Sequence, residues 1–515
     1  MVQDISRKSF LQMGAGLAAA AASAASLSRP ADAQTNKATP HAKRSGKTLI
    51  KNVDVLTMQE DHAELKGMDV MMSGGKIAAI GKGIPAGDAE VVDGTGKILM
   101  PGFVDGFRHN WQSLDTGRIL KLNQSYHNYY GGYTGKLGQT MTPEELYLSD
   151  YMGCVEALNS GFTYVINFSM GGPLERAEAS ARGAKDSGVG GAFAYTPAAA
   201  GRRVSSQEQF NGAVALPGPD EFAVAQALKD KVFHSGDDMQ LACGMNLRWG
   251  ATYADFKQYF DRARALKPQL LMMHHHSDGS GGGNPGAQFK PAPKPPGTIR
   301  TVKDLEDSGV LGPDLHMGHG TELTDDELKM LAKYKITMAS GILAEFTYAQ
   351  NETSIHARAR AHGIPAGIGF DTPLEWCRDP FEMSRMAITC LYRTPENWKI
   401  ADTYGSDDSL VFFTRDGAKC AKRGDVAGTV TVGKMADLVL IDTSRLGFPV
   451  IGTLADRVAN FGTLADIDSV WVAGKARKRH GKMVGVDMAA LKAKVVKSQE
   501  RVWEAMGKPV YGIRG

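Results

Sequence analysis

Cysteine is scarce in this chain. Five residues out of 515 (Cys154, Cys243, Cys377, Cys390, Cys420) are widely spaced and form no Cys-x-x-Cys pair. A thiolate zinc site is therefore not expected, and no disulfide framework is required. Net charge is small too: 59 Lys and Arg against 56 Asp and Glu leave +3. A nucleic-acid binder would show a basic excess or stripe, so this balance excludes that class. No apolar run beyond the N-terminal region reaches the ~18 residues of a membrane helix. With 43% hydrophobic and 22% charged residues, the composition is globular, which sets aside bulk disorder and collagen.

The first 33 residues read as an export signal. Asp4-Ile-Ser-Arg-Lys-Ser-Phe-Leu-Gln12 resembles the twin-arginine box, with Lys8 where a second arginine is usual. An Ala-rich run over 13–27 follows, and Ala31-Asp32-Ala33 fits the small-x-small cleavage pattern. The expectation is a mature chain starting near Gln34, placed in the periplasm or otherwise exported, by the twin-arginine route. Residues 34–47 are polar and basic, as in a linker.

The rest divides by hydrophobic period. From residue 48 to 101 short β text dominates, with Gly74-Gly75 between two runs as a hairpin signal. Over 102–424 strands and helices alternate. The strands end near Phe107, Phe168, Tyr195, Leu247, His276, Gly318, Ala339 and Phe370, and the fourth is the least marked. Helical stretches fall at 142–158, 253–266, 325–334 and 351–362. The first opens Thr142-Pro-Glu-Glu145, with a cap residue, proline at the first helical position and acid in the first turn. Eight such units predict an α/β chain built on a (β/α)8 barrel. Residues 425–485 return to β text, so the two flanks are expected to build one small β-sandwich. The stretch 486–515 forms a C-terminal helix and tail.

Thirteen histidines are present, and three groups of them stand where strands stop: Arg108-His109, His274-His275-His276 and His316-x-x-His319. A fourth strand end carries Asp371. In a barrel all eight strand ends meet on one rim, which is how separate strands supply converging metal donors. The strand before His274 runs into a Gly- and Pro-rich loop over 277–296, the kind of excursion that carries substrate contacts. Trp111, Tyr126 and Tyr130 lie on the loop after the first strand and suit a flat or aromatic ligand. Glu345 is a candidate for the same rim. Arg108, Arg378 and Arg385 are candidates to meet a carboxylate, although surface arginines are common.

Several segments together resemble the amidohydrolase superfamily, nearest its imidazolonepropionase, cytosine-deaminase and chlorohydrolase-like branch. They are Leu49-Ile-Lys-Asn-Val, Asp93-Gly-Thr-Gly-Lys97, Leu99-Met-Pro-Gly-Phe-Val-Asp105, Gly428-Thr-Val-Thr-Val-Gly-Lys-Met-Ala-Asp437 and Val470-Trp-Val-Ala-Gly-Lys475. The likeness covers residues 48–485. It implies a His-x-His metal pair on the first barrel strand, but here Phe107 stands at the first position and His109 at the second. The implied strand-five ligand is His275 if a His-x-x-acid pattern ending at Asp278 is the guide. It is His276 if strand parity before the glycine-rich loop is the guide. His274 and Phe107 are then left as substrate contacts. The likeness assigns His319 to orient substrate or water and Asp371 to bind metal and shuttle a proton. No lysine near 246–248 can bridge two metals, so one divalent ion, zinc, is the expected cofactor, held by three protein ligands with a position left open.

The function so implied is metal-assisted hydrolysis of a C–N bond in a small, aromatic-compatible molecule, by an exported enzyme. Because the Phe107 change alters the metal site, a lyase or decarboxylase on the same scaffold is the alternative. A non-catalytic periplasmic ligand-binding barrel is the second, and His319 and Asp371 at their expected places argue against it. The expected partner is a small-molecule substrate, with no nucleic acid and no membrane span; a homo-oligomer stays open.

Overall fold

Period-2 apolar text at both ends of the chain pairs into one sheet. In the computed structural model the first flank forms β1 (Thr48–Leu56), β2 (Glu64–Ser73), β3 (Lys76–Gly81), β4 (Glu90–Asp93) and β5 (Lys97–Pro101). The barrel strands are β6 (Phe103–Arg108), β7 (Phe162–Phe168), β8 (Gly190–Tyr195), β9 (Met239–Met245), β10 (Leu271–His275), β11 (Leu315–His319), β12 (Thr337–Ser340) and β13 (Ala366–Ile368). The second flank adds β14 (Leu438–Asp442), β15 (Ile467–Val472), β16 (Lys475–Arg479) and β17 (Lys482–Met483). The structure describes residues 46–117, 135–169, 171–197, 216, 218–245, 251–275, 297–299, 301–321, 323–347, 355–373, 378–393 and 395–507.

The flanking strands hydrogen-bond as one mixed nine-stranded sheet, in the order β17-β16-β15-β14-β5-β1-β2-β3 with β4 on β1. The two flanks meet where β5 pairs antiparallel with β14, Met100 opposite Val439. Leu99, Leu440 and Trp471 from both flanks share one core with Ile50 and Val70. The expected hairpin is present: Gly74 and Gly75, both at positive φ (58° and 79°), join β2 to β3. That is the backbone a two-residue turn needs to match strand twist, and only glycine adopts it freely.

The second sheet is parallel, in the unbroken order β13-β12-β11-β10-β9-β8-β7-β6. A bridge between Arg108 and Asp371 brings its first and last strands together. Strand pleat sorts the side chains. Ile166, Ala194, Ala242, Met272 and Ala339 fill the interior, while Val165, Phe193, Cys243, Met273 and Met338 face the helices. The helix expected at 142–158 is Pro143–Asn159. Thr142 and Glu145 form its capping box, each side chain accepting the other's backbone N–H (3.2 and 2.9 Å). The C-terminal helix, Met488–Met506, docks on this region through Val495 and Val502 and an Arg501–Glu145 ion pair. Among the described residues no helix is long and apolar enough to cross a membrane.

Candidate active site at the barrel rim

The first barrel strand is bulged. Its register against β7 shifts between Asp105 and Arg108, so Val104 and Phe107, three residues apart, both reach the interior. A regular strand would send them to opposite faces. The bulge places His109 at the rim, where its backbone N–H donates to the Asp371 carbonyl (2.9 Å), while the Asp371 N–H donates to the Phe107 carbonyl (3.1 Å). First and last strands thus carry His109 and Asp371 to the same point.

Side chains converge there. One donor atom from each of His109, His274 and Asp371 lies within 4.8 Å of the others. His109 Nε2 is 3.1 Å from Asp371 Oδ1, and its ring stacks on His274 with centroids 5.0 Å apart. His319 stands beside the same carboxylate, its Nε2 3.7 Å from Asp371 Oδ2. Glu345 Oε1 sits 3.2 Å behind its Nδ1. Asp371 and His319 both have left-handed backbone, at φ 54° and 65°. Non-glycine residues in that region cost about 1–3 kcal/mol each and cluster at functional sites.

The hydrogen bonds fix where the imidazole protons are. His109 Nδ1 faces the Phe168 carbonyl at 3.0 Å, which can only accept, so Nδ1 carries the hydrogen. His319 Nδ1 faces a carboxylate that also accepts from Ser340 Oγ (2.7 Å) and the Gly341 N–H (2.9 Å); it too is the donor. Both rings therefore turn Nε2 toward Asp371. In a neutral ring, a lone pair aimed at a carboxylate oxygen 3.1 Å away is repulsive unless a cation lies between them, and either a proton on Nε2 or a metal ion relieves it. This is the arrangement in which an outer partner fixes the tautomer of a metal-binding histidine. A tetrahedral zinc with bonds of 2.0–2.1 Å sets its donors about 3.4 Å apart; two imidazoles and a carboxylate within 4.8 Å of one another are the right donor set for such an ion and would close by up to about 1.4 Å to hold it.

Phe107 occupies the floor. Its ring is fully buried and meets His319 edge-on (centroids 4.8 Å) and His274 likewise (5.5 Å). Two glycines make room for it. A Cβ at Gly341 would come within 3.0 Å of its Cζ, and one at Gly369 within 2.7 Å of its Cδ1.

The strand-five histidine brought into the cluster is His274, where the sequence reading expects His275 or His276 as ligand and His274 as a substrate contact. The reason is the pleat: Met272 is interior, and His274, two residues on, shares its face. His276 and the side chain of His275 lie outside the described residues, as do Tyr126, Tyr130 and residues 246–248. Trp111 is not on the rim surface; it packs with Leu114, Leu137, Val502 and Met506 under the C-terminal helix. Glu345 is buried behind His319 rather than facing a ligand. Arg108 is fully buried, donating to Asp105 Oδ2 at 2.6 Å. Arg378 pairs with Glu156 (2.6 Å), and Arg385 donates to the carbonyls of Ala459 and Gly462. His316 lies deeper in the barrel. Burial, helped by the nearby Lys422 charge, pushes it down to about 3. As a neutral ring it ties β11 to β6, Nε2–H donating to the Gly106 carbonyl at 2.9 Å.

The sequence reading names Glu345 and His274 as substrate contacts at the rim; what it lacks is the place of His274 in the donor cluster and the pairing of Glu345 with His319. The parity of Met272 and His274 was available as a signal. Nothing in the sequence ties Glu345 to a histidine 26 residues away.

Known proteins of similar sequence and shape place the fold. The amidohydrolase family model matches residues 98–477. A 5'-deoxyadenosine deaminase of Methanobrevibacter smithii is 23% identical over 89% of this chain and 98% of its own length. A 5-methylthioadenosine/S-adenosylhomocysteine deaminase of Caldanaerobacter subterraneus is 24% identical over 85% and 95%. Among solved structures, a zinc-bound adenosine deaminase of Xanthomonas campestris superposes with TM-score 0.72 at 20% identity, covering 89% of this chain and 98% of that one. A zinc complex of atrazine chlorohydrolase from Arthrobacter aurescens gives 0.69 at 17–18% identity, covering 88% and 100%. With its barrel, its rim and most of its length accounted for, the chain belongs to the amidohydrolase family, enzymes that hydrolyse carbon–nitrogen bonds.

Proposed function

We propose that this enzyme uses a divalent metal, zinc, to displace with water an amino or comparable group from a ring carbon of a nitrogen-rich small molecule. The observation that carries the reading is the pair of imidazoles, His109 and His319, whose Nδ1 hydrogens are committed to outer acceptors and whose Nε2 atoms face one carboxylate. The named relatives support the substrate class: deaminases of adenine nucleosides and a triazine chlorohydrolase all remove a substituent from a nitrogen heterocycle. The N-terminal box and cleavage pattern support an exported enzyme.

His109, His274 and Asp371 are the residues to hold the ion, which supplies Lewis acidity and a water of lowered pKa. The two oxygens of Asp371 divide the work. Oδ1 lies on the His109 side, while Oδ2 faces His319 and is placed to take a proton from the attacking water and return it to the leaving nitrogen. His319, backed by the buried Glu345 carboxylate, can hold a proton on Nε2 and donate it to the substrate atom where negative charge builds. Phe107 closes the floor and presents an apolar surface beside these groups.

The test is metal analysis of untagged protein together with ammonia release from 5'-deoxyadenosine and from amino-substituted triazines. Near-stoichiometric zinc and turnover lost on chelation and restored by zinc are expected. A chain that purifies without metal and hydrolyses these compounds equally well with chelator overturns the reading.

A further inference from the structure

Behind His109 lies a polar network that the chemistry above does not use. Asp150, on the Pro143–Asn159 helix, is fully buried. Its Oδ1 accepts from Asn167 Nδ2 at 2.7 Å, and its Oδ2 bonds Ser180 Oγ. Each partner leads to one side of His109. Asn167 Oδ1 accepts the backbone N–H of Asn110, the residue after His109, at 3.2 Å. Ser180 Oγ meets Ser169 Oγ at 3.2 Å, and Ser169 follows Phe168, whose carbonyl accepts His109 Nδ1–H. The preceding helix residue reinforces the clamp: Ser149 Oγ lies within 3.0 Å of the carbonyls of Asn110 and Trp111.

We propose that Asp150 is a positioning residue for the metal site, holding through Asn167 and Ser180 both the chain that bears His109 and the carbonyl that orients its ring. A carboxyl suits the place because its two oxygens bond in two directions at once, bridging the end of β7 to a neighbouring helix. Asp150 touches neither the donor cluster nor the rim. Burying a carboxyl among an amide and a hydroxyl is costly, and mere filling of this space would be served by an apolar side chain. Outer partners of metal-binding histidines are worth roughly 10–100-fold in metal affinity.

This inference rests on the metal reading above, and the experiment separates the two. Zinc affinity is measured by chelator competition on wild-type protein and on Asp150→Leu, Asp150→Asn, Ser180→Ala and, as a control for general destabilisation, Leu228→Ala in the outer core. Asp150→Leu is expected to bind zinc about 10–100-fold more weakly. Ser180→Ala should shift the same way by less. Asp150→Asn keeps an acceptor for Asn167 and reverses the bond to Ser180, its amide N–H donating to Ser180 Oγ, whose own hydrogen can turn to Ser169, and should bind nearly as wild type; Leu228→Ala should match wild type. If Asp150→Leu folds and binds zinc as tightly as wild type, or if Leu228→Ala loses as much, the proposal is overturned. Should Asp150→Leu not fold, an unchanged Ser180→Ala overturns it. A wild-type chain that takes up no zinc overturns the metal reading, and this one with it.

Discussion

Replacing Asp150 by asparagine changes how stability responds to pH, and the size follows from the site. Burial pushes this carboxyl from 3.8 up to about 7, with its bonds to Ser180 and Asn167 pulling the other way. The folded chain therefore holds a proton that the unfolded chain releases. For a raised carboxyl the native state is favoured most below the unfolded pKa; that advantage shrinks as pH rises toward the folded value and is gone above it. At about 1.36 kcal/mol per unit the full effect is on the order of 4 kcal/mol, of which about 3 kcal/mol falls between pH 5 and pH 9. Asparagine keeps the shape and does not titrate. An unfolding entropy of about 2.1 cal/mol/K per residue gives roughly 1 kcal/mol/K for a unit of this size, so 3 kcal/mol is about 3 °C. Thermal melts of wild type and Asp150→Asn at both pH values, with zinc in excess, form the cycle. The variant should gain about 3 °C on wild type in going from pH 5 to pH 9. An equal difference at both pH values, or a gain toward acid, would refute the reasoning and mean that Asp150 is ionised in the fold.

Asp371→Asn should lower turnover by at least ~10²-fold, because a positioned general base is worth that much; circular dichroism should be unchanged, and more than about a tenth of the wild-type rate would sink the assignment. Phe107→His adds a donor on the floor that His274 and His319 already contact. It should tighten zinc binding in chelator titration and slow turnover, since it fills a position left for water or substrate; unchanged affinity would mean that residue 107 does not face the ion. The N-terminus of native protein from fractionated cells should lie near Gln34 and outside the cytoplasm, and an intact Met1 in the cytosolic fraction would contradict that.

Much of the fold could be read from local pattern. Apolar alternation and turn glycines located β2 and β3, and cap chemistry located the Pro143–Asn159 helix to within a residue, because these signals act within a few residues of chain. Barrel strand ends also came out close. The expected ends at Phe107, Gly318 and Ala339 are Arg108, His319 and Ser340 in the structure. The chemistry-bearing residues at those ends, His109, His319 and Asp371, were therefore visible as a set. Trp111 is expected at the ligand and packs elsewhere, because an aromatic residue on a rim loop looks alike in sequence whether it meets a ligand or a neighbouring helix. Here the C-terminal helix, some 380 positions away, covers it.

What the sequence by itself determined is the alternation of elements, their caps and the order in which strand ends deliver histidine, histidine and aspartate to one rim. Which atom points where was decided only in three dimensions. The bulge in β6 turns Phe107 and His109 inward. The pleat of β10 selects His274 from three adjacent histidines, and Glu345 reaches His319 only because their strand ends lie side by side. Those outcomes depend on register and on packing between distant segments, where a shift of one residue reverses a side chain's face. The carbonyl and carboxylate that set each imidazole's tautomer are contributed by segments far along the chain, so no local pattern of residues encodes them.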